Sequence, residues 1–269
     1  MVEIFDNIHK IYQYQAPCEE LAEYIAFFSE SSCSATEKYL AGESFSVKLF
    51  PSWTPTIWFN LGSPYKLSIA NQHYVVQPNQ DVLLLRNTIV ERRNLPTDHI
   101  FTVKFSAGGF EGIFGIKQGC LGSELIGLSH IIPSSIIQDL KRIDNFEERV
   151  MLLQGFFLQI KQRRSWQEHY FKTVQRAIKA YETSNMESRN SEIASEVSAT
   201  NKTLYRYFNH VVGTTPKNYF SVIRVREALQ KYVSHKADFS PYDFGYYDMS
   251  HFYKEVIKFT GSKLIDNGL

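Results

Sequence analysis

From residue 44 to residue 106, short apolar runs alternate with turn residues. The runs cover 45–50, 56–61, 65–70, 73–76, 82–85 and 100–105. Between them stand Pro51, Pro55, Gly62, Pro64, Asn71, Pro78, Asn79 and Pro96. Runs of this length with this punctuation predict an antiparallel barrel or sandwich. Ahead of them, Leu21, Tyr24, Ile25 and Phe28 fall at helical spacing and predict a helix over 18–30. The glycine-dense stretch 110–132 predicts loops around a short helix. Residues 134–162 predict one or two helices, with Asn145 as a cap. Their apolar stripe of Val150, Leu153, Phe157 and Ile160 suits either a packing face on the barrel or a dimer helix.

The last third has a different texture. A helix is predicted over 169–183. Ser191 caps a short helix that carries Ile193-Ala194-Ser195-Glu196-Val197. Three residues later Thr200 caps a second, Asn201-Lys202-Thr203-Leu204-Tyr205-Arg206-Tyr207-Phe208, and the unit closes at Val212-Gly213. Thr215-Pro216 opens a long helix to about Ser234, with proline at the first helical position, where its missing N–H costs nothing. Ser240-Pro241 repeats the start signal, and Asp243 puts negative charge into that first turn. Asp248 caps a final helix through His251, Phe252 and Lys254 that ends at Thr260-Gly261. A short helix, a tight turn and a capped second helix occur twice, joined by one long helix. A helix-turn-helix presents side chains to a DNA major groove in this way.

Composition narrows the class. With 269 residues and 43% hydrophobic content, two packed domains are expected. No run of about 18 apolar residues exists, so no membrane span is expected. The start of the chain lacks the basic-then-apolar order of a signal peptide. Cys18, Cys33 and Cys120 are odd in number and far apart, which suggests reduced thiols in a cytoplasmic protein. The net charge of +1 does not favour nucleic acid, but the halves differ. Residues 1–165 hold 15 Lys+Arg against 17 Asp+Glu, a net of −2; residues 166–269 hold 14 against 11, a net of +3. Lys202, Arg206, Lys254 and Lys258 all fall on the two proposed recognition helices.

These residues resemble the AraC/XylS family of transcription regulators over the C-terminal 100 positions. The carriers are Leu204, Arg206, Phe208, Gly213, Pro216, Tyr219, Arg224 and Ala228, then Gly245, Asp248, Ser250, His251, Phe252 and Gly261. The N-terminal 165 residues resemble, less specifically, the cupin-like sensor domain of one branch of that family. They do so through Phe50-Pro51-Ser52-Trp53, Ile57-Trp58-Phe59-Asn60-Leu61-Gly62 and Val103-Lys104-Phe105-Ser106-Ala107-Gly108-Gly109-Phe110. The resemblance implies an α+β protein. Residues 1–165 would form a β-rich cupin-like barrel with flanking helices, which binds an effector or dimerises. Residues 166–269 would form an all-α DNA-binding domain with two helix-turn-helix units. It also implies double-stranded DNA and RNA polymerase as partners, with a small-molecule effector and a homodimer.

Two departures touch the second unit. The family has Ile-Ala where this chain has Ser240-Pro241, so the helix there must start late and be short, with Phe239 filling the apolar slot. After Gly261 the family's Ser-Pro and basic tail is reduced to Ser262-Lys263-Leu264.

The site residues follow. On the first recognition helix, Leu204 and Phe208 face the core, leaving Asn201, Lys202, Tyr205 and Arg206 for DNA. Arg can take guanine O6 and N7 with two hydrogen bonds, and Asn can do the same with adenine. The alternative for Arg206 is a phosphate contact or a packing role. On the second helix Met249, Ser250, Tyr253 and Lys254 are the candidates, while His251 serves within the fold. Trp53, Trp58, Phe59, Tyr65, Phe101, Phe105 and Phe110 either line an effector cavity in the barrel or form plain core. A cupin-like metalloenzyme with a DNA-binding tail is the rival class. The chain has no His-x-His pair, no carboxylate at ligand spacing and no nucleophile or phosphate-loop motif. No metal, catalytic residue or cofactor is therefore expected. A protein-interaction module whose second helix-turn-helix no longer reads DNA is the other rival.

Overall fold

The computed structural model describes residues 3–4, 11–70, 72–162 and 168–261. The expected domain boundary at 165/166 and the segment Ser262-Lys263-Leu264 lie outside them. Eleven described strands form two antiparallel sheets. They are β1 (Glu3–Ile4), β2 (Tyr12–Gln15), β3 (Ile25–Ser31), β4 (Phe45–Leu49), β5 (Pro55–Asn60), β6 (Tyr65–Ile69), β7 (Gln72–Val76), β8 (Val82–Leu85), β9 (Val90–Asn94), β10 (Ile100–Phe105) and β11 (Ile126–Gly127). One sheet runs β1-β4-β9-β6-β7 and the other β11-β8-β5-β10-β3-β2. Together they make a β-rich half-barrel. Val47, Leu49, Leu67, Ile69 and Val90 from the first sheet meet Trp58, Val82, Leu84 and Ile100 from the second in its interior.

The second sheet is buried on both faces. Its outer side carries Ile57, Phe59, Leu83, Phe101, Val103 and Phe105. Every residue of β5, β8 and β10 is accordingly buried, including Thr56, Asn60, Thr102 and Lys104, because these central strands are covered on both sides. The cover includes α2 (Gly109–Phe114), α3 (Ser134–Arg142) and α4 (Phe146–Gln162). On α4, Val150, Leu153 and Phe157 are fully buried against the sheet, so the stripe is a packing face. Asn145 starts this helix as expected, its Oδ1 accepting from Glu148 N at 2.9 Å.

The helix expected over 18–30 is not there. Leu21 closes a 3₁₀ turn, Glu19–Leu21, and residues 25–31 form β3 between β10 and β2. Leu21, Tyr24, Ile25 and Phe28 are all buried, so the apolar positions were read correctly and their period was not. Pairing with two neighbours overrides a helical spacing. Helix α1 (Cys33–Leu40), capped by Ser32 Oγ, and the charged strand β9 were not expected from the sequence.

The C-terminal helices follow their start and stop signals. They are α5 (Glu168–Thr183), α6 (Asn190–Glu196), α7 (Asn201–Val211), α8 (Pro216–Ser234) and α9 (Met249–Thr260). Thr200 Oγ1 accepts from Thr203 N at 3.1 Å, Thr215 Oγ1 from Asn218 N at 3.1 Å and Asp248 Oδ1 from His251 N at 2.7 Å. Helix α6 starts one residue before Ser191, and Glu192 rather than Ser191 secures it by accepting from Arg189 N at 2.7 Å. Among the described residues no helix is long and apolar enough to cross a membrane.

Candidate nucleic-acid interface

Helix α7 has two faces of opposite character. Leu204, Tyr207, Phe208 and Val211 are buried, with Phe208 against Tyr219 and Phe220 at ring distances of 5.8 and 5.3 Å. Asn201, Lys202, Tyr205 and Arg206 are exposed. At spacings of one, three and one, these four share a side of the helix. Tyr205 is 54% exposed, so its ring is open to solvent. The Arg206 guanidinium lies 5.5 Å from the centre of the Tyr207 ring, which steadies it without using its hydrogen-bonding fork. Ser198, in the turn ahead of α7, takes φ 56°, a left-handed conformation that lets the chain reverse between α6 and α7.

The second unit is built differently. Its first helix is a 3₁₀ segment, Pro241–Phe244, as the proline required. Phe239 stacks near Phe244 and lies 4.8 Å from the Phe252 ring, so it does fill the apolar slot. On α9 Ser250 and Lys254 are exposed. Met249 and Tyr253 are half-buried against the second core, and Tyr253 Oη meets Tyr232 Oη at 3.3 Å. The four second-helix candidates thus split into two that face solvent and two that serve the core at least in part. His251 works within the fold: its ring packs edge-on to Tyr246 at 5.2 Å. Arg224 on α8 joins the units, pairing with Glu255 at 2.9 Å and lying 4.7 Å from the Tyr246 ring centre.

Sequence reasoning missed a cleft of about 500 Å³ beside the first recognition helix, lined by Arg189, Asn190, Asn201, Lys217 and Arg224 among others. Lys217 sits one residue after the Pro216 helix start, so the Thr215-Pro216 start signal also marks its place. Tyr247, 83% exposed just before the Asp248 cap, was likewise not singled out.

The half-barrel holds the first unit closely. Gln118, fully buried, donates from Nε2 to Trp53 O at 2.7 Å and to Val212 O at 2.6 Å, and accepts from Gly108 N at 3.3 Å. Gln175 Nε2 donates to Ala107 O at 2.7 Å. Tyr24 and Phe171 stack at 5.1 Å. A Cβ at Gly108, which has φ 76°, would stand 2.3 Å from Val211 Cγ1, so only glycine fits there. His210 on α7 lies 3.6 Å from the Glu111 carboxylate, which burial pushes above the usual carboxylate range despite His210 and Lys117. Residues 50–54 form a strap beneath the second unit. Phe50 is buried in that unit's core, 6.3 Å from the Phe259 ring, and Trp53 packs against both cores. From the barrel, Arg86 donates to Phe50 O at 2.8 Å and Lys104 to Ser52 Oγ at 2.7 Å.

The expected effector residues divide by strand alternation. Trp58 and Tyr65 point into the half-barrel, 6.3 Å apart, beside Arg92. Phe59, Phe101, Phe105 and Phe110 lie on the other side of the second sheet, as core under the helices. Trp53 belongs to the strap. Among the described residues no three His, Cys, Asp or Glu side chains gather where they could hold a metal ion.

A half-barrel packed against two capped helix-turn-helix units defines a two-part protein with an exposed recognition helix. Residues 193–264 match the family described as a helix-turn-helix domain. Those residues therefore carry a helix-turn-helix domain, in the part of the chain where the C-terminal resemblance placed one. No curated protein matches the chain. Similar solved structures include ToxT from Vibrio cholerae, at 13% identity over 83% of this chain and 96% of that one, with a TM-score of 0.47. ToxT from Vibrio cholerae O395 is 14% identical over 85% and 96%, with a TM-score of 0.46. The AraC-like transcriptional activator CuxR is 12% identical over 85% and 89%, with a TM-score of 0.36.

Proposed function

We propose that this chain is a sequence-specific DNA-binding transcription regulator rather than an enzyme. Asn201, Lys202, Tyr205 and Arg206 carry the reading as one exposed face of a capped helix whose other face is core. Asn201 and Arg206 offer base-edge hydrogen bonding, Lys202 a phosphate contact and Tyr205 a ring to pack on the duplex. The first unit reads sequence. The second has a four-residue 3₁₀ segment where a helix would stand and exposes fewer of its candidate side chains, so it contributes mainly backbone affinity through Lys254 and Ser250.

The half-barrel is the sensor. It takes a small-molecule effector and passes the state of its interior to the helices through Gln118 and the 50–54 strap. Its output is altered engagement of RNA polymerase in the cytoplasm, by a monomer or a homodimer. The test is selection of DNA from a randomised duplex library by the full chain, followed by binding at several salt concentrations. A selected site should bind at least a thousandfold tighter than scrambled DNA, with affinity falling as salt rises. Equal binding to both would leave a non-specific or protein-binding module instead.

A further inference from the structure

Strand β7 leaves one edge of the first sheet open. It pairs with β6 on one side and with no described strand on the other. Among the described edge strands, β1 and β11 have two residues each, β2 has four and β7 has five. Folded proteins guard such edges with lysine, proline, a bulge or an inward-pointing charge. Gln72-His73-Tyr74-Val75-Val76 carries no lysine, proline or acid, and its register with β6 runs unbroken from Val76 opposite Tyr65 to Gln72 opposite Ile69.

The hairpin decides which backbone groups face outward. Only residues 70 and 71 separate β6 from β7, and in a two-residue hairpin the flanking pair, here Ile69 and Gln72, exchanges hydrogen bonds. Bonded and non-bonded pairs alternate along the ladder. Tyr74 and Val76 therefore also bond to β6, while the N–H and C=O groups of His73 and Val75 point away from it. These outward groups make no hydrogen bond to any described residue. The side chains of His73 and Val75 are exposed on the outer face of the sheet, Val75 to 53%.

This edge complements its own two-fold image. A second copy laid antiparallel about Tyr74 puts its Val75 opposite His73 and its His73 opposite Val75. Every outward N–H then meets an outward C=O. That symmetric placement about Tyr74 is what selects a second copy over an unrelated strand. The strand holds no Lys, Arg, Asp or Glu, so no like charges meet across the axis. Lys66 stands beside Val75 on β6. Its counterpart in the second copy would be three strand spacings away, roughly 14 Å, which exceeds a screening length of about 8 Å.

We propose that two copies of this chain join through β7 into one continuous sheet, antiparallel and two-fold symmetric about Tyr74. The assignment rests on strand geometry and holds whether or not the chain reads DNA.

The test is sedimentation velocity of the full chain, without DNA, over about two decades of concentration. A reversible monomer–dimer equilibrium is expected. Val75→Pro removes an outward N–H at a position where an edge strand tolerates proline. Val75→Lys keeps that group and adds a guarding charge. Each should weaken dimerisation about tenfold or more and leave the melting temperature of the dilute monomer in place. Oxidation tests the register. The two Tyr74 Cα atoms, as a non-hydrogen-bonded pair, would stand about 4.5 Å apart, within reach of a disulfide. Tyr74→Cys should therefore give a dimer linked at position 74, with the parent chain and its Cys18, Cys33 and Cys120 as the control. His73→Cys should not link to itself, because each His73 lies opposite Val75. A chain that stays monomeric throughout, a dimer indifferent to both Val75 variants, or linkage at 73 rather than 74 would overturn the proposal.

Discussion

The side-chain amide of Gln118 donates to the carbonyl of Val212 at 2.6 Å, tying the half-barrel to the residue that ends the first recognition helix. The same nitrogen reaches Trp53 O, and the side-chain oxygen accepts from Gly108 N. Gln118→Leu fills the space but leaves three backbone groups without that partner. An orphaned buried group costs about 1–3 kcal/mol, so the variant should lose at least about 2 kcal/mol in urea unfolding. Unchanged stability would mean the three groups find water instead.

Phe208 is fully buried between α7 and the start of α8. Phe208→Ala should cost about 3–5 kcal/mol, because the rings of Tyr219 and Phe220 cannot both collapse into the space. Thermal unfolding measures this, and an unshifted melting temperature contradicts the placement.

Arg206 and Lys254 should fail in different ways. Arg206→Ala is expected to lose about 1–3 kcal/mol on a selected site and less on random DNA. Lys254→Ala should weaken both by similar factors and flatten the salt slope by about one unit. Binding of each variant to the two duplexes at several salt concentrations separates the roles. A changed sequence preference in Lys254→Ala alone would reverse the assignment.

Glu111 gives a pH dependence with a definite sign. Burial raises its folded-state pKa above the ordinary 4.5, so the folded state holds its proton more tightly than the unfolded chain. The resulting stabilisation is present in full below 4.5 and is lost as pH rises through the raised folded value. Glu111→Gln removes that dependence. The variant should therefore gain on the parent between pH 4 and pH 7 in parallel urea titrations. A relative loss over that range would show that His210, 3.6 Å away, holds the carboxylate charged.

The C-terminal helices were legible because each boundary is written locally. Thr200, Thr215-Pro216 and Asp248 are caps whose hydrogen bonds involve residues three positions away. The barrel is specified by pairings across the chain. Ile25–Ser31 carries apolar residues at a spacing that suits a helix, and only β10 and β2 on either side make it a strand. Strand β9 reads as Val-Glu-Arg-Arg-Asn, a surface sequence, yet Arg92 is 2% exposed because Tyr12, Trp58 and Tyr65 enclose it. The expected effector residues are all aromatic. The division of the strand residues, with Trp58 and Tyr65 inside and Phe59, Phe101 and Phe105 outside, follows from a period of two, which shows only once strand faces are known.

Phe50 belongs to the half-barrel in sequence and to the second helix-turn-helix in space. Gln118 fixes the first unit to the same body. For a chain that reads DNA as proposed, the half-barrel then acts as a ruler between two grips on the duplex. One base pair inserted between the two contacted segments turns the far one by about 35° around the helix axis. A pair of units joined only by a flexible tether would swing to follow. Here the second unit would have to pull Phe50 out of its own core to do so, and the spacing of the operator becomes as much a part of its identity as its bases.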